Sequence, residues 1–378
     1  MLLEKEMRKW IIKLFWLLLL LQLSSCALEP VAPGKLVTEE FMLPASFVGT
    51  SGPYIANLDA MVIRPDDAQR HPLAVINHGT DGRAPKKMSP KEMRGMAQEF
   101  ARRGWVAIIF TRRGYGKSDG LFEDGPRKYT AADYERVGRA GASDIREVIR
   151  LMADKPYVDA ARVISVGVSG GGFATVALTA DPPPGLVAGI NFAGGQASAL
   201  PNGSGFTVHN ESALLEVFGR FGKTSRIPML WVYALNDSHF GPALAKQAYA
   251  IFTEAGGKAE FVAAPALGVD GHALFIRMYA SIWTRYVDAF LLRKNMKLMD
   301  GLIAVEDEAG VDYPPHMSPA IKATFLDYLD AGDHKAFAMS YAQGWSWVSK
   351  QVSGEAAAQN ALKGCATCFV VSIDGHAP

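Results

Sequence analysis

Val163-Ile164-Ser165-Val166-Gly167-Val168-Ser169-Gly170-Gly171-Gly172-Phe173 joins an apolar, β-branched strand to an alanine-rich helix through Gly-x-Ser-x-Gly. A strand–turn–helix junction this tight strains the serine backbone and excludes side chains from the residues that flank it. Chance matches to Gly-x-Ser-x-Gly arise readily in a chain with 37 glycines, so the prediction depends mainly on the flanking strand and helix. Ser169 is therefore predicted to be an exposed nucleophile, and an ordinary glycine-rich turn is the alternative.

A nucleophilic serine needs a general base, and the base needs an acid that orients it. Where a serine occupies a turn of this kind, the acid comes later in the chain than the serine, and the histidine comes later than the acid. Asp237 comes after one buried strand pattern and His272 comes after the next, where catalytic groups of open α/β sheets are found. We expect Asp237 to be the acid and His272 the base. His239 and Asp270 lie two residues from this pair and remain alternatives.

The apolar run over residues 73–77 ends in His78-Gly79-Thr80. Catalysis at an acyl carbonyl also requires donors for the negative oxygen, and one of them is the N–H of the residue after the nucleophile, here Gly170. The other donor comes from the loop after this earlier strand, at Gly79 or Thr80, with Thr80 preferred. His78 precedes the nucleophile in the chain, so we expect it to be a structural hydrogen-bonding residue.

Five separated motifs in this order resemble an α/β-hydrolase, and most of all its dienelactone-hydrolase-like and prolyl-oligopeptidase-like branch: His78-Gly79, Arg113–Ser118, Gly167–Gly171, Asn236-Asp237 and Gly271-His272. The resemblance implies a Ser-His-Asp hydrolase that acts through an acyl-enzyme. Dienelactone hydrolases themselves use a cysteine nucleophile, whereas position 169 is serine. We therefore do not expect dienelactone to be the substrate.

Strand and helix patterns alternate between the motifs, which predicts an α/β fold with a mainly parallel, doubly covered sheet. The predicted catalytic domain spans residues 36–293, starts with two antiparallel strands and closes with a helix over 273–292. Residues 196–226 lack clear periodicity and are expected to cover an accessible pocket. Arg112 and Arg113 are expected either to line its mouth, together with Tyr115, or to be solvated loop charges.

Beyond the catalytic domain, residues 294–316 have the composition of a linker, and 317–378 predict a small C-terminal α+β module. This module weakly resembles modules of unknown function appended to bacterial envelope proteins, and a binding role and simple stabilisation both stay open. Its Cys365 and Cys368 suit a redox pair, half of a metal site or a short structural disulfide. The disulfide is favoured, because the chain has three cysteines and cannot complete zinc coordination with a second pair. No metal or other cofactor is predicted.

The first 25 residues have the pattern of a lipoprotein signal peptide. Four basic residues precede the apolar run 14–21, which is short for a membrane span, and Leu23-Ser24-Ser25-Cys26 resembles the bacterial lipobox. We expect lipidation at Cys26, with plain secretory cleavage or an uncleaved anchor as alternatives. Ala27 follows Cys26 in place of an aspartate, which favours the outer membrane, with the protein facing the periplasm.

The chain carries 39 basic and 38 acidic residues, for a net charge of +1, so no nucleic-acid partner is implied. The motifs predict a serine hydrolase of carboxylic esters or short peptides, a small-molecule substrate, and a membrane contact through the N-terminal lipid. A non-catalytic binding lipoprotein that keeps the hydrolase scaffold is the alternative.

Overall fold

The computed structural model describes residues 35–49, 51–82, 84–123, 125–200, 205–296, 299, 301–303, 305 and 311–378. The predicted signal peptide and the lipobox cysteine Cys26 lie outside the described residues. Within them, no helix is both long and apolar enough to cross a membrane.

A central sheet organises the chain. Its eight strands are β1 (Leu36–Gly49), β2 (Gly52–Pro65), β3 (His71–Asn77), β4 (Val106–Phe110), β5 (Val158–Val168), β6 (Leu186–Phe192), β9 (Met229–Ala234) and β10 (Ala259–Ala264). Two further short strands, β7 (Ser198–Ala199) and β8 (Phe206–Thr207), pair with each other outside this sheet. The order across the sheet is β1-β2-β4-β3-β5-β6-β9-β10. Strand β2 is antiparallel to β1 and β4, and the remaining pairs are parallel.

Helices cover both faces of this sheet. They are α1 (Arg94–Ala101), α2 (Ala131–Ala153), α3 (Gly170–Thr179), α4 (Glu211–Gly222), α5 (Pro242–Glu254) and α6 (Ala280–Arg293). Helices α1 and α6 pack on one face through residues such as Phe100 and Trp283, and α2 to α5 pack on the other through residues such as Ile145 and Phe218. Because both faces are covered, the inner strands are almost continuously buried. The predicted mainly parallel, doubly covered sheet is confirmed.

The chain order reverses between β3 and β5, since β3 is flanked by β4 on one side and by β5 on the other. Loops that leave the carboxyl ends of strands at such a point diverge and open a crevice between them. The loop after β3 begins with His78, and the loop after β5 begins with Ser169. Both sequence motifs therefore meet at one end of the sheet.

Two local expectations were wrong. The stretch 196–226 is not without regular structure, because it contains the β7–β8 hairpin and the amphipathic helix α4, which Asn210 caps with its side chain. The closing helix begins at Ala280 rather than at residue 273, and two short 3₁₀ turns, Gly271–Leu274 and Arg277–Tyr279, precede it. Phe275 and Ile276 take non-helical backbone angles between these turns, so His272 lies in a short 3₁₀ turn that is separate from the closing helix.

The C-terminal residues form their own small layer structure. It consists of α7 (Pro319–Asp330), β11 (Ala336–Met339), β12 (Trp345–Val348), α8 (Gly354–Lys363) and β13 (Phe369–Ile373). The three strands are antiparallel in the order β12-β11-β13. Phe337 and Met339 of β11 pack toward α7, while Ala336 and Ala338 pack toward α8. Cys365 and Cys368 are joined by a disulfide bond at the α8–β13 connection.

Candidate active site

Ser169 occupies the sharp turn between β5 and α3. Its backbone angles are φ 55° and ψ −123°, a left-handed conformation that a non-glycine residue adopts only under constraint. A β-carbon at Gly167 would overlap the backbone of Gly171, and one at Gly171 would overlap the carbonyl oxygen of His78. The glycines of the motif are therefore required by close backbone approach, and they leave Ser169 at the tip of the turn.

His272 and Asp237 form a close pair at the same end of the sheet. Asp237 follows β9, and His272 follows β10, its parallel neighbour. The Nδ1 atom of His272 lies 3.2 Å from both carboxylate oxygens of Asp237. The Asp237 side chain is buried and also accepts hydrogen bonds from the backbone N–H groups of His239 and Phe240, at 2.8 and 2.9 Å. The carboxylate is thereby fixed against Nδ1, which leaves Nε2 of the ring available for a second partner.

The alternative residues have different positions. The ring of His239 stacks on that of His272, with centroids 3.7 Å apart and an interplanar angle of 12°. Burial, with the neighbouring His272 as a smaller cause, lowers the pKa of His239 to about 4, so this ring is neutral at neutral pH. Asp270 accepts hydrogen bonds from Ser238 and from the backbone of His272. Its Oδ2 also lies 3.8 Å from Nδ1 of His239, so Asp270 shapes the loop, whereas Nδ1 of His272 is paired with Asp237.

The loop after β3 presents its backbone toward the turn at Ser169. A β-carbon at Gly79 would lie 3.2 Å from Cβ of Ser169, and one at Gly170 would overlap Oγ1 of Thr80. The loop and the start of α3 are thus in direct contact. Gly170 is the first residue of α3, and the first N–H groups of a helix have no acceptor within it.

His78 and Arg112 fix the orientation of this loop. The carbonyl oxygen of Gly79 lies 2.6 Å from Nδ1 of His78 and accepts a hydrogen bond from Arg112 Nη2 at 3.3 Å. In a planar trans peptide the N–H points away from the carbonyl oxygen, so the N–H of Thr80 points away from Arg112. The backbone N–H of Arg112 donates to Nε2 of His78. Burial, and then the charge of Arg112, lowers the pKa of His78 well below its ordinary value. His78 is a neutral, structural residue in this geometry.

Neither expectation for the two arginines holds. Arg112 is 1% exposed and its guanidinium donates to the carbonyl oxygens of His78 and Gly79. Arg113 forms an ion pair with the buried carboxylate of Asp144 on α2, at 2.5 Å. Tyr115 is fully buried as well, and its ring packs edge-on against His78. These side chains pack under the loops and hold them in place, so they are not solvated charges and do not line the mouth of a pocket.

A cavity of about 980 Å³ opens in front of the Gly79–Thr80 loop. Its wall is largely apolar and comes from several loops and from the β7–β8 hairpin. The lining includes Gly79, Thr80, Asp81, Glu92, Gln196, Phe206 and Lys350. Phe206 of β8 also stacks on His239, with centroids 3.8 Å apart. A continuous aromatic stack of Phe206, His239 and His272 therefore connects the cavity wall to the histidine–aspartate pair.

Lys350 reaches this cavity from the C-terminal module. Its Nζ atom lies 2.9 Å from Glu92 and 3.5 Å from Asp81, the residue that follows Thr80. Its backbone is held in turn, because Nζ of Lys87 donates to the carbonyl oxygen of Lys350 at 2.9 Å. Burial raises the pKa of Glu92, and the charge of Lys350 opposes this rise. Nothing in the sequence indicates this contact, which joins residues separated by more than 250 positions.

Asp237, His239 and His272 are also close enough together to be tested as a metal site. An imidazole binds a metal in the plane of its ring through a nitrogen lone pair. The rings of His239 and His272 are stacked nearly parallel, so their lone pairs do not converge on one point. One oxygen of Asp237 is already engaged by two backbone N–H groups. The residues present therefore fit a metal ion poorly, whereas the Asp237–His272 pair has the geometry of an imidazole oriented by a carboxylate.

Comparisons with known proteins agree with this architecture. Residues 54–204, less than half of the chain, match the model of the X-Pro dipeptidyl-peptidase (S15) family. Among solved structures, an acylaminoacyl peptidase in complex with Z-Gly-Gly-Phe-chloromethyl ketone is similar with a TM-score of 0.50 and 19% identity, over 71% of this chain and 43% of that one. The fold is that of the α/β-hydrolases. No curated protein matches the sequence significantly.

Two further solved structures have lower TM-scores. The acylaminoacyl peptidase of Pyrococcus horikoshii has a TM-score of 0.49 and 19% identity, over 70% of this chain and 42% of that one. A putative dienelactone hydrolase from Klebsiella pneumoniae has a TM-score of 0.43 and 16% identity, over 67% of this chain and 97% of that one. The chain spans less than half the length of the acylaminoacyl peptidases it matches.

The ion cluster in the cavity wall predicts a pH-dependent change in stability. Lys350→Met leaves Glu92 and Asp81 without this cation, so the pKa of Glu92 rises further. An acid whose folded-state pKa is raised destabilises the fold as pH rises through that pKa. We expect a loss of roughly 1–2 kcal/mol in the free energy of unfolding at pH 8 and a smaller loss at pH 5, measured by urea denaturation. Lys246→Met, at an exposed position on α5, is the control. An equal loss at both pH values would contradict the assignment.

Proposed function

We propose that this chain is a serine hydrolase that cleaves carboxylic esters or short peptides through an acyl-enzyme, with Ser169, His272 and Asp237 as its catalytic triad. The observation that carries the proposal is the pairing of His272 Nδ1 with Asp237 at the end of the sheet where the strained Ser169 turn also lies. The order Ser, Asp, His along the chain and the α/β-hydrolase fold support the same roles.

In the proposed acylation step, Oγ of Ser169 attacks the substrate carbonyl carbon while Nε2 of His272 takes the hydroxyl proton. Asp237 holds the ring so that Nδ1 carries its proton and Nε2 is free to act as base. The carboxylate also stabilises the imidazolium that forms. The imidazolium then protonates the leaving alcohol or amine, and the acyl group stays on Ser169.

The proposed oxyanion hole consists of the N–H groups of Gly170 and Thr80. Support for Thr80 comes from the hydrogen bonds of Gly79's carbonyl oxygen to His78 and Arg112, which turn the N–H of the same peptide unit away from them. Each such donor is worth roughly 3 kcal/mol of the activation barrier in comparable sites. Water activated by His272 then attacks the acyl-enzyme, and the same donors stabilise the second tetrahedral intermediate.

Among the branches of this fold, the proposal favours the dienelactone-hydrolase-like and prolyl-oligopeptidase-like group, on the motifs quoted from the sequence. The substrate is a small ester or peptide that fits a cavity of about 980 Å³. A binding protein on the same scaffold is the competing function, and the loss or survival of turnover separates the two.

We further propose that the protein acts at the bacterial cell envelope, anchored by a lipid on Cys26 and facing the periplasm from the outer membrane. The support is the sequence pattern of residues 1–26. The disulfide between Cys365 and Cys368 suits an oxidising compartment.

Replacing the nucleophile gives the first test of the mechanism. Ser169→Ala is expected to lower turnover of p-nitrophenyl butyrate by about 10⁴-fold or more, because the covalent route is lost. Labelling by a fluorophosphonate probe disappears with it. Ser212→Ala, at an exposed position on α4, is the matched control and keeps both. Undiminished turnover in a folded Ser169→Ala protein would favour the binding-protein function instead.

A second test distinguishes the roles of the two stacked histidines. His272→Ala is expected to be about as damaging as Ser169→Ala, whereas His239→Phe, which keeps an aromatic ring in the stack, costs much less. Because the pKa of His239 is about 4, this residue stays neutral between pH 5 and 8. Any fall of kcat/KM toward acid pH in that range therefore reports another group, and it persists in His239→Phe. Its disappearance in that variant would assign the base to His239.

Lipidation is tested by acyl-chain labelling in bacterial cells. The full-length chain is expected to incorporate radiolabelled palmitate and to partition with membranes, while Cys26→Ser does neither and accumulates as precursor. The Cys365→Ser/Cys368→Ser variant controls for labelling of other cysteines and retains incorporation. Unmodified, soluble mature protein from the unaltered chain would refute the anchor while leaving the hydrolase mechanism untouched.

A further inference from the structure

Gln196 lies in a loop whose backbone is fixed against the nucleophile. The loop leaves β6 at Ala193, whose φ is 47° and whose N–H donates to Val232. Its next residue, Gly194, accepts a hydrogen bond from the hydroxyl of Tyr233 at 2.6 Å. The N–H of Gly195 then donates to the carbonyl oxygen of Ser169 at 3.2 Å. Gln196 is therefore next in the chain to a residue that forms a hydrogen bond with Ser169, and it lines the same cavity as Thr80.

The side chain of Gln196 is buried but not satisfied. The residue is 1% exposed, and neither Oε1 nor Nε2 forms a hydrogen bond with any residue that the structure describes. Buried side-chain amides normally have partners, so one with both ends unpaired requires an explanation. A partner that arrives with the substrate is such an explanation, because Gln196 stands in a cavity wall.

Asn191 on β6 provides a useful contrast. Its Oδ1 is also unpaired among the described residues, but β-carbons at Gly172 and Gly194 would press against that oxygen, so no substrate group fits there. Its Nδ2 donates to the hydroxyl of Tyr233. Asn191 is thus part of the packed loop support, whereas Gln196 belongs to the cavity wall, with its amide atoms covered.

We propose that Gln196 is a specificity-determining residue that recognises an amide group in the acyl part of the substrate. A glutamine amide presents one acceptor and two donors. A second amide satisfies both kinds of group at once, whereas a plain ester or a ketone offers only acceptors. The proposal rests on the proposed function and deepens it, because it assigns the cavity to peptide-like or N-acylated acyl groups rather than to simple alkyl chains.

The charges around the cavity disfavour the other ligand that could use the Gln196 donors, a free carboxylate. Asp81 and Glu92 line the wall with one lysine, Lys350, which pairs with both of them. Among the described lining residues the formal charge is therefore more negative than positive, and an anionic acyl group meets like charge from them. A neutral amide meets no such penalty. The rest of the lining includes apolar residues such as Leu200 and Phe206, which leave Gln196 to fix the orientation of the acyl group.

Three p-nitrophenyl esters of almost equal size test the inference. The N-acetylglycine ester carries an amide, the 4-oxopentanoate ester keeps its carbonyl but replaces N–H by CH₂, and the pentanoate ester lacks both. Rates are divided by the spontaneous hydrolysis rate of each ester, which removes their electronic differences. Gln196→Met keeps the length of the side chain, and Gln247→Met makes the same change at an exposed position on α5.

Gln196→Met is expected to lower kcat/KM about 10- to 100-fold for the N-acetylglycine ester, by less for the 4-oxopentanoate ester and less than threefold for the pentanoate ester. The Gln247→Met control changes none of them. Stability is a second readout. Because Gln196 has no partner to lose, Gln196→Met leaves the urea midpoint unchanged or raises it, whereas a merely structural glutamine would lower it.

An equal loss on all three esters, or a lowered urea midpoint, overturns amide recognition and assigns Gln196 a structural role. Unchanged kinetics on the N-acetylglycine ester also overturns it. These failures leave the proposed hydrolase standing, because the unaltered protein still turns over the esters through Ser169. If the unaltered protein hydrolyses none of the three esters, the proposed function itself fails.

Discussion

The backbone of Ser169, held at φ 55° and ψ −123°, is the constraint on which the rest of the site depends. A conformation of this kind costs of order 1–3 kcal/mol and persists only where surrounding structure enforces it. Enforcement comes from both sides of the turn. The N–H of Ser169 donates to Phe192 on β6, and its carbonyl oxygen accepts from Phe173 in α3 and from Gly195 in the loop after β6. The strain is thus compensated by three hydrogen bonds, which join the turn to β6, to α3 and to the loop after β6.

The same logic governs the peptide between Gly79 and Thr80. A backbone N–H can stabilise a developing oxyanion only if it is aimed before the reaction begins. Here buried Arg112 and neutral His78 both form hydrogen bonds with the carbonyl oxygen of Gly79. These bonds fix the direction of the Thr80 N–H in the same peptide unit. Neutrality of His78 is essential to this arrangement, because its Nε2 must accept the backbone N–H of Arg112. Burial and the adjacent guanidinium charge both lower its pKa, and so both maintain that state.

The parts of this molecule that follow from local sequence could be predicted. Hydrophobic runs fixed the positions of the sheet strands, and the glycine spacing around Ser169 fixed the turn. The order of chain motifs placed Asp237 and His272 after the strands that bring them together. The first two signals lie within about ten residues, where propensity and turn chemistry act, and the third is the order of short motifs along the chain. The boundary of the final helix was missed because a tertiary demand, the approach of His272 to Asp237, outweighs the helical pattern that begins at residue 273.

Features that depend on distant partners could not be predicted in this way. Arg112 and Arg113 have the sequence context of loop charges, and only the packed loop of His78 and the carboxylate of Asp144 explain their burial. Nothing in the sequence around Gln196 indicates that its amide is buried without a partner. Lys350 is equally unremarkable in sequence, because its two carboxylate partners lie more than 250 positions away in the chain.

The contact of Lys350 changes how the C-terminal module should be viewed. A module that only decorated the hydrolase would be removable without consequence for the cavity. This one supplies a cation to two acidic residues of the cavity wall, one of them adjacent to Thr80, and its Asp327 and Asp330 pair with Arg277 in the segment that follows His272. Charges at both ends of the proposed catalytic machinery are therefore balanced from the same module. Because an uncompensated charge in a partly buried site is costly, these contacts couple the stability of the C-terminal elements to that of the loops around the proposed site. The cavity wall includes residues from both.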